Sequence, residues 1–470
     1  MSRPNILFFL TDDQRFDTIH ALGNRRIHTP LLDRLVGGGT AFTRAAIMGG
    51  SCPAVCMPSR AMLHTGRGLF HIDRQGQSVP GEHVLLGEHF RRAGYATFGT
   101  GKWHNGPAAY ARNFSDGGEI FFGGMNDHWN MPACDFRPEG QYPPPREVHA
   151  RFGAVRVRGN QRYDHFGRKH SSDLFCDEAI DFLLRRRPAD RPLLAYVSFM
   201  APHDPREMPA EFLGLYDPSR IDLPGNFLPA HPFDNGELTV RDELLAAMPR
   251  TGEEIRRHLP DYYAMISHLD AGIARVLAAL AESGQADRTI VVLAGDNGLA
   301  VGQHGLMGKQ NLYEHSVRVP LVLAGPDIPP ATRRDALCYL HDLLPTFCDL
   351  AGLAAPGSCE SRSLAPCLGG AGGHDVLHFA YRHFQRAVTD GRHKLIEYAV
   401  NGRRTTQLLD LAADPLEMRD LSAEPAQAET LARLRAQLVH WRTELADPCG
   451  EFWEAMWSNR PLKWPALEEN

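Results

Sequence analysis

Apolar runs of strand length alternate along most of the chain with segments whose apolar positions recur at helical spacing. Residues 6–10, 193–199 and 289–294 are mainly apolar and predict parallel strands buried on both faces, and residues 95–100 and 317–322 predict further strands. Helical spacing predicts helices near 29–37, 85–93, 175–183 and 342–353. The strongest such pattern covers 261–282, with Gly284 just past its end, where a helix C-cap is expected. The pattern predicts an α/β protein.

The pattern changes after a glycine-rich break at residues 369–373. Short apolar segments at 377–381, 386–389, 393–396 and 407–411 predict antiparallel strands, and 426–445 has the spacing of an amphipathic helix. We therefore predict a large domain over 1–370 and a smaller one over 371–470. Residues 105–169 have little periodicity and predict a long loop in the wall of a pocket, with 143–145 extended. Residues 204–259 are irregular and rich in proline, and they predict insertion loops and short helices. The tail with Trp453, Trp457 and Trp464 is expected to pack against the body.

Composition narrows the possible partners and the compartment. The formal net charge is -6, which argues against bulk binding to nucleic acid or to an anionic membrane, so neither is expected as a partner. The nine cysteines have no zinc-ligand spacing and fit free thiols in a reducing compartment. The apolar run at 6–10 is too short for a signal-peptide core or a membrane span. A cytoplasmic location is therefore expected, unless a leader was removed.

Polar residues follow two of the predicted strands directly. Asp12 and Asp13 come after the first strand, and Asp296 and Asn297 come after the strand at 289–294. Ligands of open α/β sheets bind at the carboxyl ends of strands, and carboxylate and amide oxygens suit Ca²⁺ or Mg²⁺ rather than zinc. Each pair taken alone also fits an ordinary turn or cap.

A second group of residues could bind an anion. Cys56 precedes Pro58 and Ser59, so we expect it on a turn, with Ser59 capping the following helix and Arg60 in its first turn. Lys102 and His104 lie two residues apart on an extended segment and point to the same side. A buried, inert cysteine, a solvated lysine and an incidental histidine are the alternatives for these three positions.

The motifs around these residues resemble those of type I sulfatases over nearly the whole chain. The resemblance is carried by Cys-x-Pro-x-Arg followed by Leu-x-Thr-Gly-Arg at 56–67, Asp-Asp at 12–13, Gly-Lys-Trp-His at 101–104, Pro-His-x-Pro at 202–205 and the lysine at 309. It implies the alkaline-phosphatase-like fold. That fold has a large mixed, mostly parallel sheet sandwiched by helices, and a smaller α+β domain with an antiparallel sheet and a long helix.

The resemblance also implies a role for each position. Cys56 is oxidised to formylglycine by a formylglycine-generating enzyme, a transient partner, and its hydrated form attacks sulfur. The cation, Ca²⁺ with Mg²⁺ possible, is bound by Asp12, Asp13, Asp296, Asn297 and the modified Cys56. Arg60 holds the formylglycine, and His104 bonds one of its hydroxyls. Lys102, His203 and Lys309 grip the sulfate, and His203 protonates the departing alkoxide. Asn297 stands where some relatives have histidine.

Three functions fit these residues. The first is hydrolysis of a sulfate ester of a sugar or related small molecule. The second is hydrolysis of phosphonate monoesters or phosphodiesters at the same site, because other tetrahedral anions share its charge and shape. The third is non-catalytic binding of sulfated glycans, which the complete residue set disfavours. The natural substrate and the oligomeric state stay open.

Overall fold

A computed structural model describes residues 3–142, 148–150, 153–155, 164–186 and 191–457. The predicted extended segment at 143–145 and the tail at Trp464 lie outside these residues. The helices are α1 Pro30–Gly38, α2 Cys56–Thr65, α3 Leu86–Arg92, α4 Pro107–Asn113, α5 Ser171–Leu184, α6 Ala210–Leu213, α7 Gly252–Glu282, α8 Glu314–Val317, α9 Leu343–Leu350, α10 Ala365–Leu368, α11 Ala428–Glu444 and α12 Gly450–Trp457. The strands are β1 Asn5–Thr11, β2 Gly39–Phe42, β3 Ala45–Ala46, β4 Gly49–Gly50, β5 Ala96–Lys102, β6 Asp116–Phe121, β7 Pro132–Ala133, β8 Val148–Ala150, β9 Gly153–Val155, β10 His165–Phe166, β11 Leu193–Ser198, β12 Thr289–Gly295, β13 Leu321–Ala324, β14 Thr332–Arg334, β15 Cys338–Tyr339, β16 Leu377–Tyr381, β17 Gln385–Thr389, β18 His393–Val400 and β19 Arg403–Asp410.

The main sheet has eight strands in the order β14-β2-β13-β12-β1-β11-β5-β6. Strands β12, β1, β11, β5 and β6 are parallel, whereas β13 runs antiparallel to both of its neighbours. All seven residues of β1 are buried. This is the environment that its uninterrupted apolar run predicts. The expected large, mixed and mostly parallel sheet is confirmed.

Helices cover both faces of this sheet. Ile6, Phe8 and Leu10 of β1 pack into one core cluster, and Leu7 and Phe9 pack into another, because successive side chains of a strand point to opposite faces. The first cluster contains side chains of α2, α3 and α9. The second contains side chains of α1, α5 and α7. The sandwich of helices around the sheet is therefore confirmed.

The smaller sheet has the order β19-β18-β17-β16-β4, with antiparallel pairing from β16 to β19. Helix α11 covers it through Leu434 and Leu438, which pack against residues of β17, β18 and β19. The expected antiparallel sheet with one long helix is confirmed, and Trp453 of the tail is buried against the sheet as predicted. Strand β4 joins this sheet from residues 49–50, far from the rest of it in sequence. The domain boundary at residue 370 stays a prediction.

Three segments differ from the sequence-based expectation. The segment 105–169 is not all loop, because it contains α4 and the edge strand β6. Helix α7 begins at Gly252 rather than at residue 261, and it continues through Pro260 because Ile255 and Leu259 of its first turns are buried in an apolar cluster. The strand expected at 317–322 is present, but it covers Leu321–Ala324, so its predicted start is four residues too early. Helix α8 ends at Val317, and the strand starts only after Pro320, which has no N–H to donate to a ladder.

Helix α7 has the length and apolar composition of a membrane span, but 67% of its most apolar window is buried inside the protein. Its residues Met265, Leu269, Ile273 and Val276 belong to the core cluster on one face of the main sheet. Packing in this core accounts for its apolar face.

Candidate active site

The parallel strands of the main sheet bring the predicted site residues together at one edge. Asp12 and Asp13 follow β1, Lys102 ends β5, and Asp296 and Asn297 follow β12. These strands run in the same direction, so their carboxyl ends meet at the same edge of the sheet. His203 lies five residues beyond β11, and Lys309 reaches the same place from the loop between β12 and α8. The structure thus brings all the predicted site residues into one cluster.

Cys56 is the first residue of α2 and is buried. Lys102 Nζ lies 3.6 Å from Cys56 Sγ, and His104 Nδ1 lies 3.4 Å from the same atom. Lys102 and His104 therefore do share one pocket, as their spacing predicts. Pro58 fits the first turn of α2 because N–H groups there have no partner within the helix.

Ser59 does not cap this helix, contrary to the prediction. Helix α2 starts at Cys56, with Val55 in the cap position, and the Ser59 N–H donates to the Val55 carbonyl at 3.2 Å. The Ser59 hydroxyl instead donates to the backbone carbonyl of Asp296 at 2.6 Å. The serine therefore fixes α2 against the end of β12, and Arg60 is the fifth residue of the helix, four residues deeper than a Ser59 cap would place it.

Arg60 connects three strand ends. Its Nε donates to Asp296 Oδ2 at 2.7 Å, and its Nη1 donates to the Lys102 carbonyl at 3.1 Å and to Ser198 Oγ at 2.5 Å. Its Nη2 lies 3.6 Å from Asp12 Oδ2 and has no hydrogen-bond partner in the described part of the chain. The sequence analysis did not identify Ser198 as a site residue. The signal that could have identified it is a polar residue at the end of an apolar strand. The Nη2 group of Arg60 is therefore an unused donor on the side of Asp12.

Each buried carboxylate contacts a buried cation. Lys102 Nζ bonds Asp12 Oδ2, and Lys309 Nζ bonds Asp13 Oδ1 at 2.6 Å. Asp13 Oδ1 also accepts from Asn297 Nδ2 at 2.6 Å, and His203 Nε2 lies 3.7 Å from Asp13 Oδ2. Every one of these residues is at most 6% exposed. In low dielectric such contacts are stronger than at a surface, so the geometry of the cluster is firmly held.

Two oxygen atoms in this cluster lack partners. Asp12 Oδ1 and Asn297 Oδ1 are buried and accept no hydrogen bond from any described residue. Oxygen and sulfur atoms of Asp12, Cys56 and Asp296 lie within 4.8 Å of one another. An unpaired buried acceptor costs about 1–3 kcal/mol, and these carboxylate and amide oxygens are the donors that a hard divalent cation prefers. The residues present therefore fit such a cation.

The charged groups have different ionisation states. Burial raises the pKa of Asp12, but Lys102 and Arg60 outweigh it and hold the pKa below its usual value. Burial and the neighbouring Asp12 raise the pKa of Asp296 to about 6. For Lys309, burial lowers the pKa, but Asp13 outweighs it and raises the value well above the usual one. Asp12 and Lys309 are therefore charged at neutral pH.

His104 and Cys56, which contact each other, are both neutral. Burial, followed by Lys102, lowers the pKa of His104 well below its usual value. Burial raises the pKa of the Cys56 thiol to about 12. An unmodified Cys56 is therefore a protonated thiol at neutral pH and a poor nucleophile.

His203 is fixed by its own loop. Its Nδ1 donates to the Asp204 carbonyl at 2.8 Å, which leaves Nε2 directed at Asp13. The Asp204 carboxylate pairs with both terminal nitrogens of Arg241. Sequence reasoning also missed this pair, although Asp204 is the x of the Pro-His-x-Pro motif. The ring of His203 thereby presents one defined nitrogen to the centre.

Not every conspicuous residue lies at the site. His304 stacks on Tyr313 with 4.1 Å between ring centroids and therefore packs in the structure away from the cluster. A separate group of His170, Asp173 and His268 has three potential ligand atoms. His170 Nδ1 already accepts from the Ser172 N–H, and His170 Nε2 contacts the Glu207 carbonyl at 2.9 Å. Both ring nitrogens of His170 already have hydrogen-bond partners and are not available to a metal ion. We therefore interpret this group as one that stabilises the fold.

Comparison with known proteins identifies relatives of the whole chain. The family model for sulfatases matches residues 4–353, and the model for the C-terminal part of N-sulphoglucosamine sulphohydrolase matches residues 302–444. A sulfatase of Formosa agariphila is 30% identical over 396 residues, covering 77% of this chain and 72% of the relative.

Two solved structures share the fold. A protein in complex with its substrate D-glucosamine-2-N,6-O-disulfate has a TM-score of 0.76 and 21% identity, covering 95% of this chain and 99% of that one. The phosphonate monoester hydrolase of Agrobacterium radiobacter has a TM-score of 0.74 and 22% identity, covering 94% of this chain and 96% of that one.

Proposed function

The chain belongs to the sulfatase family and is a sulfuric ester hydrolase, and we propose that it cleaves the sulfate ester of a sugar or related small molecule. In this proposal the nucleophile is a formylglycine made from Cys56, and the site holds a divalent cation. The observation that carries it is the position of Cys56. Its Sγ lies within 3.6 Å of the nitrogens of Lys102 and His104, beside buried oxygens that have no partner among the described residues.

The cation would be held by Asp12, Asp13, Asp296 and Asn297, with the modified residue 56 as a further ligand. Its preferred identity is Ca²⁺, with Mg²⁺ as the alternative, because all the side-chain donors are oxygens. When bound, it neutralises the charge of the ester and polarises its oxygens. The three carboxylates are balanced by Arg60, Lys102 and Lys309, so a divalent cation makes the site net positive and attractive to an anion.

Formylglycine supplies a hydrated aldehyde, with one hydroxyl to attack sulfur and a second that allows sulfate to be expelled afterwards. The Sγ atom of Cys56 occupies the place of these oxygens. His104 Nδ1, at 3.4 Å, is positioned to take a proton there because the imidazole is neutral. The free Nη2 donor of Arg60 and the ammonium of Lys102 offset negative charge at the same place.

The sulfate group itself would lie between Lys102, Lys309 and His203. Both lysines are buried and paired with carboxylates, so they are oriented before the substrate arrives. His203 holds its Nδ1 proton on the Asp204 carbonyl. Its Nε2 is therefore the atom that would deliver a proton to the departing alkoxide.

The remaining parts of the proposal concern substrate class, partner and compartment. The match to the N-sulphoglucosamine sulphohydrolase model and the similarity to a protein bound to a glucosamine disulfate support a sulfated sugar. A formylglycine-generating enzyme is the transient partner that the modification requires. None of the nine cysteines, all of which lie in the described part of the chain, forms a disulfide, which supports a cytoplasmic location.

Mass spectrometry of the tryptic peptide 45–60 tests the nucleophile. We expect loss of sulfur at Cys56 and an intact thiol at Cys52, which lies in the same peptide and serves as an internal control. A fully active preparation with an intact Cys56 thiol would contradict the proposal.

Matched esters test the reaction. Aryl sulfate, aryl phosphonate and phosphate diester substrates with the same leaving group should be compared by kcat/KM. We expect the sulfate to be the best substrate. The similarity to a phosphonate monoester hydrolase makes phosphonate monoester hydrolysis the alternative, and a preference for the phosphonate would establish it.

A further inference from the structure

Asp13 has a backbone conformation that is uncommon for any residue other than glycine. Its φ is 64°, in the left-handed region, which residues with a side chain enter at a cost in free energy. Asp13 lies two residues past the end of β1 and is one of the proposed cation ligands. Such a conformation persists only where the surrounding structure holds it, so the contacts of this backbone show what the ligand depends on.

Two hydrogen bonds to side chains hold the backbone of Asp13. Its N–H donates to Asp296 Oδ1 at 3.1 Å, and its carbonyl accepts from the hydroxyl of Tyr262 at 2.6 Å. The same hydroxyl accepts the backbone N–H of Arg15 at 2.8 Å. Among the described residues, the Asp13 carbonyl and the Arg15 N–H have no other hydrogen-bond partner. The hydroxyl of Tyr262 therefore bridges the turn formed by residues 13–15.

The bridge comes from a firmly placed side chain. Tyr262 belongs to α7 and is fully buried, and its ring packs in an apolar cluster with Ile255 and Leu259. The guanidinium of Arg15 lies over the ring, 5.8 Å from its centroid. A carbonyl only accepts and an N–H only donates, so both roles of the hydroxyl are determined by its two partners. Helix α7 thus presents one oriented hydroxyl to the end of β1.

The backbone of Asp13 determines where its carboxylate lies. Its Oδ1 contacts Lys309 Nζ and Asn297 Nδ2, both at 2.6 Å. Its Oδ2 lies 3.7 Å from His203 Nε2. Lys309 and His203 are the groups that the proposed mechanism places on the sulfate and on the departing alkoxide. A change in φ of Asp13 would move both carboxylate oxygens relative to these groups and to the proposed cation.

We propose that Tyr262 is a positioning residue for the cation site, and that its hydroxyl holds Asp13 in the conformation in which the carboxylate binds the cation. The inference rests on the proposed function, because it takes Asp13 as a ligand, and it adds a residue of the core helix to the site. Without the hydroxyl, two buried backbone groups would lose their partner, and the backbone could relax toward commoner conformations. Removal of a group that supports a metal ligand typically costs about 10–100-fold in metal affinity or activity.

The test measures Ca²⁺ binding by isothermal titration calorimetry on the chelator-treated full-length protein, with Mg²⁺ titrated in parallel. Tyr262→Phe removes only the hydroxyl and keeps the ring in its cluster. We expect its Kd for Ca²⁺ to rise by about tenfold or more relative to the wild type. The midpoint for Ca²⁺ activation of sulfate-ester hydrolysis should rise by the same factor, because both quantities report occupancy of one site.

Tyr216→Phe is the matched control. The Tyr216 hydroxyl is also buried among two partners, since it accepts the His28 N–H at 2.9 Å and lies 2.6 Å from Ser267 Oγ. Its removal likewise leaves a backbone N–H without this partner, but none of these residues is a proposed ligand. This variant should lose stability and keep the Kd of the wild type. Thermal melts identify a temperature at which all three proteins are folded, so that a folding defect is not read as weak binding.

An equal Kd for Ca²⁺ in the wild type and in Tyr262→Phe would overturn the role of Tyr262. An equal rise in Tyr262→Phe and Tyr216→Phe would also overturn it, because the effect would then follow from the loss of any buried hydroxyl. Failure of the proposed function gives a different result, in which the wild-type protein itself binds neither Ca²⁺ nor Mg²⁺. That result would refute the cation site, and the role of Tyr262 with it.

Discussion

The structure contains two groups of buried charges that differ in how completely they are paired. The reactive centre consists of Asp12, Asp13, Asp296, Arg60, Lys102 and Lys309, all buried. The junction cluster consists of Lys394 on β18, Glu314 at the start of α8, and Glu417. Lys394 Nζ lies 3.0 Å from Glu314 Oε1 and 3.1 Å from Glu417 Oε1. Glu417 Oε2 also accepts the backbone N–H of Glu314 at 2.8 Å.

Pairing distinguishes the roles of the two groups. In the junction cluster all three charged side chains are paired, and they join the smaller sheet to α8 of the larger part. In the reactive centre, three buried atoms have no hydrogen-bond partner among the described residues. They are Asp12 Oδ1, Arg60 Nη2 and the Oδ1 atom of the adjacent Asn297. Because unpaired buried polar groups cost free energy, their persistence points to a ligand that completes them. The burial of charged side chains is common to both clusters and therefore does not distinguish a catalytic site. The distinguishing feature of the reactive centre is that some of its buried polar atoms, next to Cys56, have no hydrogen-bond partner among the described residues.

The largest expected effect comes from removing the reacting side chain. Cys56→Ala should lower kcat by about 10⁴-fold or more, since loss of a nucleophile removes the reaction path. The thermal midpoint should stay within a few degrees of the wild type, because the contacts of Cys56 Sγ with His104 and Lys102 are long, at 3.4 and 3.6 Å. Steady-state kinetics and thermal melts measure the two effects.

Cys52→Ala is the matched control for this variant. Cys52 is a second buried thiol four residues earlier, and its Sγ contacts only the Ala54 carbonyl at 3.6 Å among the hydrogen bonds of the described residues. Its activity should stay close to that of the wild type. Equal losses in both variants would mean that the segment, rather than the residue at 56, is required.

The junction cluster should show the opposite response. Lys394→Met should lower the free energy of unfolding by about 3–5 kcal/mol, the cost of leaving buried carboxylates unpaired. The kcat of the folded enzyme should change little, since Lys394 does not contact the reactive centre. Urea denaturation and kinetics on the folded fraction measure this. A variant that lost kcat but kept its stability would remove the distinction between the two clusters.

The sequence predicted the reactive centre better than the loops around it. Asp12, Asp296 and Lys102 follow or end strands that are apolar and parallel, so their positions in space follow from strand direction alone. The motif placed Cys56 next to the start of a helix, but that helix begins at Cys56 itself rather than after Ser59. The fold of the main sheet follows from the same uninterrupted apolar runs.

What could not be predicted depends on contacts distant in sequence. The start of α7 is determined by burial of Ile255 and Leu259, which outweighs the disruption expected at Pro260. Strand β6 is rich in glycine and acidic residues, and it forms because its backbone pairs with β5 at the sheet edge. Ser59 binds the end of β12 instead of its own helix. The pairing of Lys394 with Glu417 likewise has no sequence signal.

The stability of the junction cluster should depend on pH in a defined direction. Burial raises the pKa of Glu417 to about 7, an effect that Lys394 opposes and Glu314 reinforces. Because the folded pKa is above the unfolded one of 4.5, the stabilisation is fully present below pH 4.5 and is lost as pH rises through 7. The free energy of unfolding should therefore contain a contribution that falls by about 1–2 kcal/mol between pH 5 and 7.

Glu417→Gln isolates this contribution, because its side chain does not titrate. The variant should lack that decrease when denaturation is repeated across the same pH range. Curves of equal slope for wild type and variant would show that Glu417 keeps an ordinary pKa and that the cluster is less buried than described.

The smallest expected effect concerns the unpaired oxygen of Asn297. Asn297→Ala removes the free Oδ1, one of the proposed oxygen ligands, and the midpoint for Ca²⁺ activation should rise by about tenfold or more, since removal of even an outer-shell partner of a ligand costs at least that much. Excess Ca²⁺ should restore most of the kcat, since the other oxygen donors remain. Asn5→Ala is the control, because Asn5 is equally buried but lies at the opposite end of β1 and bonds Thr289. It should lower stability without moving the Ca²⁺ midpoint. An unchanged midpoint in Asn297→Ala would mean that the unpaired oxygen at the reactive centre serves the structure, as the paired groups of the junction cluster do.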